Sequence, residues 1–460
     1  MEGQESRVSG MEKEIAVEAK EEPPMETKSV DRNSIFKERR LEHPTSDLDT
    51  LVHLVKGCLG SGILAMPLAF KNAGLHFGLA ATFVIGLIST HCVHMLVETA
   101  HGLCRKLRIP SLTYGDVAEK TFENGPTSIR GFGFIASRVV NSFIVTVTLG
   151  VCGVYLVFVA SNIGQVIDIF TGGTFPLRAY ISCFVPVMLV LCTVRNLRLL
   201  SPFSFLSNLL VLASLGIVFS YVFTGLPPTS SRPDFTSIEQ LPAFFSTAVF
   251  ALEGIGVMMP IENNMKTPQN FTGCFRVLNT GMVIITSLFA AVGYFGYLRY
   301  GDKTLGSISL NVPDTEPLGQ ASKLMLGLAM TFTYPLQMYV AVQMTWPELA
   351  RKRGWTDLRW RGFFQPEHVY RYVLVIFTAI LALAIPKLDA LMNLIGAVCL
   401  STAGLIFPAV LETLFRYDNL GKFYWILAKN MLIILFGLLG FATGMVTSIQ
   451  GVIKSFSGEE

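Results

Sequence analysis

Leu51–Phe70, LVHLVKGCLGSGILAMPLAF, is an apolar segment long enough to cross a bilayer, yet Gly60-Ser61-Gly62 interrupts it near its middle. A helix that unwinds in hydrocarbon leaves backbone N–H and C=O groups without partners, at a cost of several kcal/mol for each group. Such a break is tolerated only where protein or a polar cavity covers it. The segment therefore predicts a broken membrane helix with a candidate binding site at the break.

A second segment, AFFSTAVFALEGIGVMMPI at residues 243–261, repeats this arrangement. Gly254-Ile255-Gly256 is followed by Pro260, as the first triplet is followed by Pro67. One such segment would be compatible with a kinked packing helix. Two of them in corresponding halves of a chain indicate the midplane site of an inverted-repeat transporter.

The composition is that of a polytopic membrane protein. Of the 460 residues, 51% are hydrophobic and only 15% are charged, and the mean hydropathy is +0.51. The net charge of +3 gives no reason to expect nucleic-acid binding. Apolar runs of about 20 residues predict an all-α protein with eleven transmembrane helices, at 51–70, 77–99, 138–161, 179–194, 203–224, 243–261, 276–298, 321–343, 371–385, 389–413 and 425–450.

Lysine and arginine residues are concentrated in the loops that would share a face with the amino terminus, which predicts that this face is cytoplasmic. The hydrophilic residues 1–50 are then expected to form a disordered cytoplasmic tail. Residues 51–450 form the predicted transmembrane transporter domain, and 451–460 a short extracellular or lumenal tail. The sequon Asn270-Phe271-Thr272 falls in a predicted cytoplasmic loop and is expected to carry no glycan.

The two breaks predict a site for a zwitterion. Free N–H groups at the start of one half-helix suit a carboxylate, and free carbonyl groups at the end of the other suit an ammonium group. An α-amino acid is therefore the expected ligand. The glycines would let it approach the backbone, although tight helix crossing is an alternative role. The predicted substrate-binding residues are Gly60, Ser61, Gly62, Ile63, Phe250, Ala251, Leu252 and Gly254.

His53 and Glu253 are the candidates for proton coupling, because ionisable side chains inside membrane spans are costly. Histidine titrates in the physiological range, and a carboxyl group beside the second break could bind and release a proton. A hydrogen-bonded structural histidine and a Glu253–Lys56 ion pair are the alternatives. In the eighth span, Thr331, Thr333, Tyr334 and Gln337 could line a cavity or help hold a sodium ion, so the spacing leaves proton and sodium coupling open.

No nucleophile–base pair, phosphate loop or metal-ligand set occurs in the sequence, so we expect neither an enzyme nor a cofactor or metal site. A proton is the expected coupling ion. A sensor that binds an amino acid and signals through partners of its tail, with little net flux, remains an alternative. The plasma membrane and the endolysosomal membrane both fit the predicted topology.

Long stretches of the chain resemble the proton-coupled amino acid transporter family, within the amino acid/auxin permease group of the APC superfamily. They are LVHLVKGCLGSGILAMPLAFKNAG at 51–74, SLTYGDV at 111–117 and FALEGIGVMMPIENNMKTPQNF at 250–271. The resemblance implies the LeuT-like five-plus-five inverted repeat, with helices 1 and 6 broken and an eleventh span added. It also implies symport of small neutral amino acids such as alanine, glycine or proline with a proton. His53 matches the position of a histidine implicated in coupling in that family.

Overall fold

The computed structural model describes residues 34–39, 41, 44–195, 197–252, 254–355 and 365–457, and its regular structure is helical. The first half contains α1 (Asp47–Cys58), α2 (Ser61–Ala73), α3 (Leu75–Leu107), α4 (Tyr114–Glu123), α5 (Gly133–Thr171), α6 (Leu177–Cys192) and α7 (Leu197–Phe223). The second contains α8 (Leu241–Leu252), α9 (Ile255–Asn263), α10 (Val277–Tyr300), α11 (Pro317–Arg353), α12 (Pro366–Ala384), α13 (Leu388–Ile395), α14 (Phe407–Phe415) and α15 (Trp425–Ser457).

Within the described residues, nine helices are long and apolar enough to cross a membrane. Helices α1 and α2 pass the same test as a pair, bent by 55° at the break between them, and α6 is apolar but shorter. An 11-residue π-helix, Gly396–Ile406, joins α13 to α14. Long apolar helices are what the composition predicts for a polytopic membrane protein.

At both interrupted segments, the described helices end and begin slightly earlier than the glycine triplets. Helix α1 ends at Cys58 and α2 begins at Ser61, so Ser61 and Gly62 form its first turn. In the second segment, α8 ends at Leu252 and α9 begins at Ile255, so Gly256 is helical. Each α-helical hydrogen bond spans four residues, and glycine does not by itself prevent such a bond.

The predicted end of the disordered tail at residue 50 needs correction. Helix α1 begins at Asp47, because Ser46 caps it in a reciprocal hydrogen-bonding pair with Asp49. Upstream, Ser34–Glu38 form a 3-10 helix in which Ile35 and Phe36 are buried. These two apolar side chains therefore pack against the rest of the protein, although the composition of the whole segment is polar. Residues 451–457 continue α15 as a helix, and the extracellular or lumenal position of the tail at 451–460 stays a prediction.

The half-helices pack closely on one another and thereby position the breaks. Helix α2 lies against α8 and α10, and α5 packs along α11. A methyl group at position 62 would lie 2.7 Å from Ala251 Cα, so the absence of a side chain at Gly62 brings the two backbones together. The two interrupted segments therefore meet at one point.

The loop after α9 lies on the face of the molecule at which α1 begins, here called the N-terminal face. Asn270 Nδ2 donates a hydrogen bond of 2.7 Å to Asp47 Oδ2 at the start of α1. Because the sequence predicts that this face is cytoplasmic, we expect Asn270 to carry no glycan when the protein is made in animal cells. Treatment with a peptide N-glycosidase should leave the electrophoretic mobility unchanged, and a shift would place this face outside the cytoplasm.

Candidate functional site

A cavity of about 170 Å³ lies where the two interrupted segments meet. Its wall combines backbone from the breaks with side chains of α5, α11 and the π-helix. The lining includes Gly57, Cys58, Gly60, Ser61, Gly62, Thr148, Val151, Tyr155, Phe250, Ala251, Gly254, Ile255, Val257, Gln337, Val340, Leu400 and Ala403. The surface is therefore mostly apolar with a few polar groups, as is usual for a small-molecule site.

The cavity opens toward the N-terminal face. Val257 on α9 and Val340 on α11 line it and are 38% and 45% exposed. On the other side, Tyr155 and Phe250 are buried, and Thr247 Oγ1 donates a 2.5 Å hydrogen bond to Asn393 Oδ1 between α8 and α13. The cavity is thus exposed at Val257 and Val340, on the side of α9 and α11, and covered by buried side chains on the side of α8 and α13.

The first turn of α2 supplies backbone donors at the cavity. Gly60 is its N-cap and provides no side-chain hydrogen bond. Among the described residues, no hydrogen bond pairs the N–H groups of Ser61, Gly62 and Ile63 with a protein acceptor. Free N–H groups and the positive end of the helix dipole attract an anionic group.

The last turn of α8 lies opposite these donors. A side-chain methyl group at Gly62 would lie 3.1 Å from the Ala251 carbonyl oxygen, so the start of α2 and the end of α8 are in contact. Carbonyl groups in the last turn of a helix carry the negative end of the dipole. The site therefore places partial charges of both signs side by side.

Most of the predicted binding residues reach the cavity. Gly60, Ser61 and Gly62 line it from α2, and Phe250, Ala251 and Gly254 line it from the second segment. The side chains of Ile63 and Leu252 are not part of the lining and are buried in the core. The first turn of α2 includes the Ile63 amide, and the last turn of α8 includes the Leu252 carbonyl.

Sequence reasoning missed the contribution of α5 to the site. Tyr155 is only 7% exposed, and its hydroxyl lies 3.8 Å from where a methyl group at Gly60 would be. Ile144, Thr148, Val151 and Tyr155 recur at helical spacing and all line the cavity. That spacing was visible in the sequence, but it does not distinguish a cavity wall from a packing face.

Of the two candidates for proton coupling, His53 is the one that the structure describes. His53 is exposed on α1, outside the lining of the cavity. It precedes Gly57 by four residues, so both lie on the same face of the helix, on the side toward which the cavity opens. Glu253 lies outside the described residues.

Hydroxyl groups of the eighth predicted span mostly hold helices together. The Tyr334 hydroxyl lies 2.6 Å from Thr378 Oγ1 of α12, and Thr333 Oγ1 lies 2.8 Å from Ser207 Oγ of α7. Neither residue lines the cavity, whereas Gln337, one turn further along α11, does. Of the four polar residues predicted for this span, Gln337 is therefore the one that lines the cavity.

Comparisons with known proteins agree with this architecture. Residues 43–450 match the family described as transmembrane amino acid transporter protein. The "Proton-coupled amino acid transporter-like protein pathetic" of Drosophila melanogaster is 39% identical over 422 residues, covering 91% of this chain and 88% of that protein. The "Probable amino acid transporter skat-1" of Caenorhabditis elegans is 26% identical over 416 residues, covering 88% of this chain and 89% of that protein.

Among solved structures, the crystal structure of MhsT in complex with L-phenylalanine aligns with a TM-score of 0.50 at 14% identity. The alignment covers 88% of this chain and 99% of that one, and it supports the LeuT fold. Fold, long apolar helices and the match over most of the sequence lead to one assignment. The chain is a multi-pass membrane protein that belongs to the transmembrane amino acid transporter family.

Proposed function

We propose that this protein is a symporter that moves small neutral amino acids, of the alanine, glycine or proline type, together with a proton. The observation that supports it is the contact between the start of α2 and the end of α8 at a small cavity. The N–H groups of Ser61 to Ile63 would bind the substrate carboxylate, and the carbonyl groups of α8 would bind its ammonium group.

The size of the cavity supports a small substrate. An engineered protein cavity of about 150 Å³ binds benzene, and alanine has the same number of non-hydrogen atoms. The cavity of about 170 Å³ would hold alanine, but a large aromatic side chain would require the lining to move. The apolar residues Val151, Leu400 and Ala403 would surround the substrate side chain.

Alternating access would follow from the broken helices. In this proposal α1–α2 and α8–α9 are the first and sixth of eleven spans, with α6 as the fourth, and they rock against α5, α7 and α11. The cavity open to the N-terminal face would then be the cytoplasm-facing state. The opposite face would meet an acidic medium at the plasma membrane or in an endolysosome.

Uptake into proteoliposomes tests the proposal. Labelled alanine, glycine, proline and leucine would be offered with and without an inward proton gradient, in the absence of sodium. We expect uptake of the small substrates to follow the proton gradient. A sodium requirement would contradict proton coupling, and binding without uptake would favour a sensor that signals through partners of the N-terminal tail.

His53→Ala is expected to reduce the dependence of uptake on external pH while leaving binding of alanine in place. In this proposal the imidazole of His53, on the cavity's side of α1, would pass the proton to the N-terminal face. The measurement is initial uptake between pH 5.5 and 7.5, with His76→Ala as a matched control, since His76 pairs with Asp234 at the opposite end of the molecule. An unchanged pH profile in the His53→Ala protein would exclude a role for His53 in proton coupling.

A further inference from the structure

The residues that precede α1 form a docked segment. Residues 34–39, 41 and 44–47, here called the strap, lie on the N-terminal face. Ile35 and Phe36 are 8% and 4% exposed, and the side chain of Arg39 is 3% exposed. An arginine buried to this extent requires partners that compensate its desolvation.

Those partners lie at the end of α9. Arg39 Nη2 is 3.0 Å from Glu262 Oε1, and Arg39 Nη1 donates to the Glu262 carbonyl oxygen at 3.0 Å. The same carboxylate oxygen lies 2.7 Å from His101 Nε2 of α3. Arg39 Nε also donates to the Pro110 carbonyl oxygen at 2.7 Å, in the loop before α4. One buried guanidinium thus connects α9, α3 and that loop.

The ring of Phe36 completes the cluster. Its centroid lies 5.0 Å from that of the His101 ring, and the guanidinium groups of Arg39 and Arg105 lie 5.1 and 5.8 Å from it. Cation–π contacts at this distance are favourable, and more so where water is excluded. The strap is therefore held both by the ion pair of Arg39 with Glu262 and by the ring contacts of Phe36.

The end of the strap also joins α9 to α1. Thr45 N donates to the Asn264 carbonyl oxygen at 2.9 Å, and Lys266 N donates to the Thr45 carbonyl oxygen at 3.0 Å. Thr267 Oγ1 donates to Asp47 Oδ1 at 2.6 Å, where α1 begins. Helices α1 and α9 carry Gly57 and Val257, which line the open side of the cavity.

We propose that the strap is a gate lock, which fastens α1 and α9 in the arrangement that opens the cavity to the N-terminal face. The lock rests on the proposed alternating access, because closure of that side requires α1 and α9 to move against α11. Breaking the Arg39–Glu262 pair removes part of the free energy that favours the open arrangement, so the population shifts toward closure.

The test measures access to the open side directly. Val340→Cys places a thiol at the cavity mouth, in a protein whose exposed Cys183 and Cys274 are replaced by serine. The rate of labelling by a membrane-impermeant maleimide is measured in nanodiscs, after subtraction of the rate for the same protein with valine kept at position 340. We expect Arg39→Ala, and independently deletion of residues 1–41, to slow labelling roughly threefold or more.

Lys120→Ala is the matched control, because Lys120 pairs with Glu123 within α4 and does not contact the strap in the described structure. It should leave the labelling rate unchanged. Monodisperse elution shows that each variant is folded. Equal or faster labelling in both folded strap variants would overturn the lock. Labelling needs no transport, so a failed uptake experiment would bear on the proposed symport and leave this result standing.

Discussion

Gly62→Ala is expected to lower uptake of alanine roughly tenfold or more, although the substitution adds only one methyl group. That methyl group would lie 2.7 Å from Ala251 Cα, which is backbone and has no rotamer to change. Overpacking at such a contact costs about 1–3 kcal/mol. The added methyl group would also increase the distance between the N–H groups of α2 and the carbonyl groups of α8. The groups of a binding site must be held within about 0.5 Å of their productive positions.

The control for this prediction is Gly216→Ala in α7, where a methyl group would meet no atom within 4 Å. It should leave uptake unchanged, and alanine has the higher helix propensity. Thermal unfolding of both variants in detergent separates transport from stability. Full uptake by a folded Gly62→Ala protein would show that the contact between α2 and α8 does not form the binding site.

Tyr155→Phe is expected to raise the KM for alanine by roughly tenfold to a hundredfold. Its hydroxyl is buried in the cavity beside Gly60, near the N–H groups proposed to bind the substrate carboxylate. A hydrogen bond to a charged group contributes about 1.5–3 kcal/mol. The substitution removes the hydroxyl and keeps the ring, so packing against α2 should change little.

The matched control is Tyr221→Phe, because the Tyr221 hydroxyl donates to Glu316 at 2.6 Å outside the cavity. Initial uptake rates over a range of alanine concentrations give KM and the maximal rate for both variants. A KM equal to that of the unmodified protein in Tyr155→Phe would exclude a contact between this hydroxyl and the substrate.

Several of the sequence predictions depend only on local properties of the chain. Hydropathy over about 20 residues identifies a membrane-spanning class without reference to packing. The predicted interruption of the helix in LVHLVKGCLGSGILAMPLAF is also a local property, because glycine and proline change the conformation of the backbone only near their own positions. The family resemblance rested on long ordered motifs, and the match over residues 43–450 confirms it.

The sequence by itself therefore determined the membrane class, the family and the two interrupted segments whose backbone lines the candidate site. Only the tertiary structure decided which atoms meet there. Gly62 and Ala251 are far apart in the chain, and Tyr155 belongs to a third element, so their approach depends on how the helices pack. The ion pair between Arg39 and Glu262 is likewise a result of packing. It could not be predicted from the sequence, because a charged residue in a polar segment does not reveal whether its partner lies on another helix.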